Sequence, residues 1–253
     1  MARKEILWLA GTLLLGALTG CGPQDSAPPA ATNAPSRPGS PTNVPAPGPV
    51  LATNAVVATN DVPSDPDEEL AQADTLLVAG KDAEAQQAYR RLLARHPDEA
   101  EAHFSLGFLL VKAGQTNEAL HHYGEAIRVL PDYSEARNNL GNLLVRLRRF
   151  DEAIPHFEAA IAANPMNSST FNNLGTAYAA AGKLAEAIPN YQRAAQLNPD
   201  YVEAWFNLGR SYGQLGRWEE AVAPLQTVVS LRPGMAAARD ALEFARRASQ
   251  GGR

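Results

Sequence analysis

The sequence predicts an all-α solenoid of stacked helix pairs, and three observations predict it. Proline recurs at 97, 131, 165, 199 and 233, alanine at 85, 119, 153, 187 and 221, and glycine at 107, 141, 175 and 209, each series stepping by 34 residues. Within each interval, two runs of apolar residues at helical spacing are separated by a turn. Two short amphipathic helices cannot bury their faces alone, so each unit needs its neighbours and the stack shares one continuous core.

The first unit, 66–99, is the least regular. Leu76, Gly80, Ala85, Tyr89, Leu92 and Pro97 keep the pattern, but Gln72 and Ala73 stand where later units place Leu-Gly. A terminal unit with one side facing water tolerates such departures. Units 100–133, 134–167 and 168–201 are the clearest copies. In 168–201, Phe171, Leu174, Gly175 and Tyr178 fall three and four apart and form one face of a first helix. Gly182 interrupts that face at a turn, and Ala187, Tyr191 and Ala194 resume it. Asn198-Pro199 then stops the second helix, because the residue before proline resists helical dihedrals. Gly175 and Ala187 let two backbones approach closely while Leu174, Tyr178 and Tyr191 fill the space beside them. In 134–167, Arg137 replaces the aromatic residue found at Phe171, which predicts a corner of the core open to water. Pro155, Pro189 and Pro224 fall about one turn inside the second helix of their units, where each removes a backbone donor. After the fifth unit, 202–235, the segment 236–249 places Ala238, Ala241, Leu242 and Ala245 on one face and reads as a helix that caps the open end.

These residues resemble the tetratricopeptide repeat family, whose signature sets an aromatic, Leu-Gly, Tyr, Ala, a second aromatic, Ala and Pro at fixed points in each unit. In the fifth unit Trp205, Leu208, Gly209, Tyr212, Ala221 and Pro233 occupy those points, with Leu225 and Val228 in place of the second aromatic and second alanine. The resemblance covers about two thirds of the chain. It implies a right-handed superhelix of helix-turn-helix units whose first helices line a concave wall.

The amino-terminal end reads differently. Arg3 and Lys4 precede an apolar run, Ile6 to Leu18, that is too short to span a bilayer comfortably, so 1–20 reads as a signal peptide. Leu18-Thr19-Gly20-Cys21 resembles the lipobox of bacterial lipoproteins, which implies cleavage before Cys21 and lipidation of that thiol. Cys21 is the sole cysteine, and lipidation accounts for a lone thiol in an exported protein. With more than one acyl chain such an anchor is stable. Gly22 follows the cysteine rather than the aspartate that retains some lipoproteins at an inner membrane. The expected location is therefore the bacterial cell envelope, at an outer membrane facing the periplasm. Residues 22–64 carry ten of the nineteen prolines and almost no aromatic or charged residue, so the stretch 21–64 is expected to be a lipid-bearing, disordered stalk. Its reach is roughly 35 Å as a coil and about 130 Å if polyproline-like.

Composition excludes several function classes. A formal net charge of −5 and a pI near 5.6 leave no basic field for a phosphate backbone, so nucleic acid is not an expected partner. No phosphate-cradling loop, HExxH or Gly-x-Ser-x-Gly motif is present, and no acid and base are forced together, so no enzyme activity is expected. His121, His122 and His156 are the ligand candidates. His122 and His156 are equivalent in adjacent units and should lie about 10 Å apart, too far to share an ion, so no metal or cofactor is expected.

Binding residues are expected where first helices turn away from the core. The sixth position of successive units reads Ser105, Asn139, Asn173, Asn207. Each carboxamide offers a donor and an acceptor to an extended peptide backbone. The series resembles the asparagine ladder of some tetratricopeptide superhelices. Asn138, Asn172 and Asn142 add polar capacity, Phe104 and Phe206 are expected as exposed apolar anchors, and Lys112, Arg146 and Arg210 supply positive charge. The family's carboxylate clamp needs cations where this chain has Glu101, Glu135, Ser169 and Glu203, so binding of chaperone tails by that clamp is not expected. The function read from the sequence is a non-enzymatic, membrane-tethered scaffold that holds a protein or peptide segment in its concave groove and supports assembly of an envelope complex. Two alternatives share the layout: a regulatory or substrate-presenting subunit of a cell-wall or glycan enzyme, and a pilotin-like factor for a secretin or pilus. Self-association through the stalk is a further possibility.

Overall fold

The structure, a computed structural model, describes residues 65–251. The expected signal peptide, Cys21 and the stalk lie outside the described residues. Eleven helices and no strand occur among those described. They alternate as α1 (Pro66–Val78), α2 (Asp82–Arg95), α3 (Ala100–Lys112), α4 (Thr116–Val129), α5 (Ser134–Arg146), α6 (Phe150–Ala163), α7 (Ser168–Ala180), α8 (Leu184–Leu197), α9 (Val202–Gln214), α10 (Trp218–Leu231) and α11 (Ala236–Gly251).

Each pair turns through the same backbone device. Gly80, Gly114, Gly182 and Gly216 take φ values of 71–79°, in the left-handed region that side chains disfavour. The next residue's N–H reaches back five residues to close the helix end, as Lys183 N does to Tyr178 O at 2.9 Å and Arg217 N to Tyr212 O at 2.9 Å. The third unit puts Arg148 at this position, with φ 59°, and still closes the end through Arg149 N to Leu144 O at 2.9 Å. The Arg148 guanidinium lies over the Phe150 ring, 5.8 Å from its centroid.

Helices within a pair meet at the repeated glycines. A Cβ at Gly107, Gly141, Gly175 or Gly209 would come within 2.7–2.9 Å of Tyr123, Phe157, Tyr191 or Leu225 on the opposing helix. The small residue and the large one are thus a single packing element, repeated down the stack. The first unit uses Ala73 there, fully buried, against a Tyr89 that is also fully buried. Pro155, Pro189 and Pro224 lie inside α6, α8 and α10, which continue past them. Each falls just past the first turn, whose N–H groups lack partners in any case, and so forfeits one bond of its helix. Ala238, Leu242 and Ala245 of α11 are buried and extend the core beyond the last unit.

Second helices pack chiefly on their own partner and on the next unit's first helix. First helices also touch one another, α3 with α5, α5 with α7 and α7 with α9. An array whose first helices meet is shorter along that side, so they form the inner wall.

Candidate interaction groove

The side chains that join the first helices are the predicted asparagines. Asn173 Nδ2 donates to Asn138 Oδ1 at 3.1 Å, and Asn207 Nδ2 donates to Asn172 Oδ1 at 3.1 Å. The fifth position of one unit thus accepts from the sixth position of the next. Asn172 and Asn173 are each only 6% exposed, so these bonds satisfy groups held mostly away from water. Asn138, Asn139, Asn142 and Asn207 are half-buried. Asn139 has no asparagine behind it and bonds the Tyr123 hydroxyl, whose proton burial holds tightly. Asn172 also reaches Tyr201, whose pKa is pushed up to about 12, first by burial and then by the Glu203 charge. Asn138, Asn173 and Asn207 thus each spend one function on a neighbouring asparagine, whereas Asn172 bonds both Asn207 and Tyr201.

Two sequence expectations are corrected. Phe104 is 6% exposed and is no groove anchor: Tyr133 and Tyr123 cover it, with ring centroids 5.1 and 6.0 Å away. It occupies the place where Asn138 and Asn172 stand in later units, and replaces their polar bond with an aromatic cluster. Lys112 is already paired, its Nζ 2.5 Å from Asp82 Oδ2. Arg146 and Arg210 are exposed, and Phe206 is half-buried beneath the Arg210 guanidinium, 5.8 Å from the ring centroid.

The fourth position of each unit does work the sequence reading did not anticipate. Arg137, half-buried at its corner, also makes a bond. Its Nε donates to Pro131 O at 2.7 Å, as Trp205 Nε1 does to Pro199 O at 2.8 Å. His103 Nε2 makes the same contact with Pro97 O at 2.9 Å. Three side chains of different type share one property, a planar N–H six residues after the proline that ended the previous helix, and tie that loop down. Among units two to five Phe171, with no side-chain N–H, is the exception.

His103 was missing from the ligand candidates because it sits in an aromatic slot. Its Nδ1 lies 2.9 Å from Nδ1 of His122, and His121 stacks beside His122 with centroids 5.2 Å apart. The His103 and His122 centroids are 5.1 Å apart, so the two nitrogens meet head-on along the line between the rings. That alignment suits a shared proton; a metal would sit off that line. Burial first, then the neighbouring His103, lowers the His122 pKa to about 4. His156 Nδ1 is buried without a partner, and burial followed by the Arg137 charge lowers its pKa too. No group of three metal-ligating side chains occurs among the described residues.

Comparison with known families accounts for this architecture. Models described as tetratricopeptide repeats match residues 70–110, 108–168 and 203–234, and a TPR repeat model matches 175–216. The chain belongs to the tetratricopeptide repeat (TPR) family. Among solved structures, it is similar to YrrB, a TPR protein with an unusual peptide-binding site, at 22% identity and a TM-score of 0.64 over 71% of this chain and 92% of that one. MamA from Desulfovibrio magneticus RS-1 is 20% identical, with a TM-score of 0.62 over 68% of this chain and 97% of that one. MamA MSR-1 is 26% identical, with a TM-score of 0.57 over 67% and 95%. No curated protein matches the chain. The TPR fold makes the chain a scaffold for protein interaction, and none of the matching models is a catalytic family.

Proposed function

We propose that this TPR protein binds an extended peptide segment along α5, α7 and α9, and that a lipid on Cys21 and the stalk 21–64 hold it at a bacterial membrane, where it supports assembly of an envelope complex. The observation that carries the groove reading is the inner wall itself. Its first helices meet through paired asparagines with unspent donors and acceptors, flanked by exposed Arg146 and Arg210 and half-buried Phe206. Such a wall suits a backbone more than a particular side-chain sequence, because the carboxamides repeat and the pockets do not. The peptide-binding site of YrrB lends support by likeness of fold. A non-enzymatic role is supported by the match to repeat models of an interaction scaffold.

The groove is tested by capture from detergent-solubilised envelope with the wild-type chain and with an Asn139, Asn173, Asn207 triple alanine variant that keeps its helical circular dichroism. Loss of a defined partner with the variant supports the reading; equal capture by both overturns it. The anchor is tested separately. Cys21→Ser should move the protein from the membrane pellet to the soluble fraction, and persistent pelleting after a high-salt wash would remove the lipid from the account.

A further inference from the structure

In units two to five, the fourth position of the first helix and the twenty-third residue of the unit are filled four ways: His103 and His122, Arg137 and His156, Phe171 and Asn190, Trp205 and Pro224. Only the second and third units have titratable groups at both positions. We propose that the His103–His122 contact is a site that accepts one proton and rejects a second, so that the second unit opens in acid while the fourth and fifth units stay closed.

The geometry dictates the proton count. Pro97 O can only accept, so His103 Nε2, 2.9 Å away, carries a hydrogen. In the neutral pair His103 Nδ1 then accepts, and His122 Nδ1–H donates across the 2.9 Å gap. One added proton is accommodated, because a single N–H can still lie between the two Nδ1 atoms while the ring that stays neutral turns a lone pair toward it. A second added proton puts two N–H groups and two positive charges face to face at that distance, and the contact must break. His103 then releases either His122 or Pro97 O, which unties the loop between α2 and α3.

The surrounding charges do not relieve this. On α4, Glu118 favours a charged His122 and His121 opposes it, while Arg90 of α2 adds positive charge and also binds Glu118 at 2.9 Å. Glu125 faces the histidines but is held by Arg128 at 2.8 Å, which in turn reaches Asp98 at 2.6 Å. On α5, Glu135 takes the Ser134 hydroxyl at 2.9 Å and Arg137 is tied to Pro131 O. Resistance of His122 to protonation follows from burial and from His103, in that order. The sign is fixed by linkage: in the unfolded or locally open unit His122 takes its proton near the ordinary histidine pKa of 6.5, in the closed unit only near 4, so closure weakens as pH falls through that window and no further below it.

The test is hydrogen exchange with mass spectrometry on the detergent-solubilised full chain at pH 7.5 and 4.5, with intrinsic exchange rates corrected for pH. Protection over residues 97–129 should fall at least about tenfold more than protection over 168–231. A double variant, His103→Phe with His122→Asn, installs the pair used by the fourth unit and should abolish the difference. If that variant is unfolded at pH 7.5, His122→Gln serves, since its amide still donates to His103 Nδ1 and cannot be charged. Equal loss of protection in both regions of the wild type, or acid loss that persists in the uncharged variant, would overturn the proposal.

Discussion

The second and fourth units are built from the same positions and close the same glycine contact, yet they are held differently. In the fourth unit Asn172 and Asn173 face the groove side of α7 and bond to α9 and α5, while Phe171 fills the fourth-position slot. In the second unit Phe104 turns the corresponding place into an aromatic cluster, and His103 ties both a loop and a second helix. The polar bonding has changed sides. A repeat can therefore move its hydrogen bonds from inner wall to outer contact without altering its backbone, because the glycine–aromatic packing sets helix spacing independently of both.

The element common to both regions should be the most sensitive. Gly175→Leu drives a side chain into Tyr191, 2.8 Å from the new Cβ, and should cost about 1–3 kcal/mol. Gly107→Leu in the second unit should cost about as much against Tyr123. Calorimetric melting of the two variants checks this, and an unchanged Tm in either would uncouple that unit from the shared packing. Next, Asn138→Ala leaves the buried Asn173 amide short of an acceptor and should cost about 1–2 kcal/mol by denaturant unfolding. Trp205→Phe installs the fourth unit's own residue in the fifth, removing the bond to Pro199 O and part of a ring packed against the core, so a loss of at least about 1 kcal/mol is expected. For His156, acid should destabilise: as pH falls below the ordinary value of 6.5 the unfolded chain takes a proton the folded side chain resists. Tm measured from pH 7.5 to 4.5 should therefore fall less steeply for His156→Asn, the fourth unit's residue, than for the wild type. The smallest effect should be a gain. Arg148→Gly places glycine at φ 59°, as in the other four units, and should stabilise by up to about 1 kcal/mol, read as a rise in Tm.

The period of 34 made the helix pairs legible because proline, glycine and alanine mark stops, turns and close contacts whose causes are local. The asparagine series was legible on the same ground. Its pairing was not, since Asn138 with Asn173 and Asn172 with Asn207 are 35 apart and step one position out of register with the repeat. Phe104 was misread because its exposure depends on Tyr133, which belongs to the loop before α5, and a single unit read alone leaves that face bare. The bond made by Arg137 was missed because charge masks shape. The planar guanidinium N–H reaches a prolyl carbonyl as an indole does, and the matching signal was the proline six residues earlier.

The central claim is that the inner wall of α5, α7 and α9 is where a partner lies. A photo-reactive side chain placed at Asn142 on α5, compared with one at Gln196 on the exposed side of α8, tests it most directly in native envelope. The account predicts adducts from position 142 to one contiguous segment of a single polypeptide and none from 196. Adducts from 196 with none from 142 would contradict it, and would move the binding surface to the second helices.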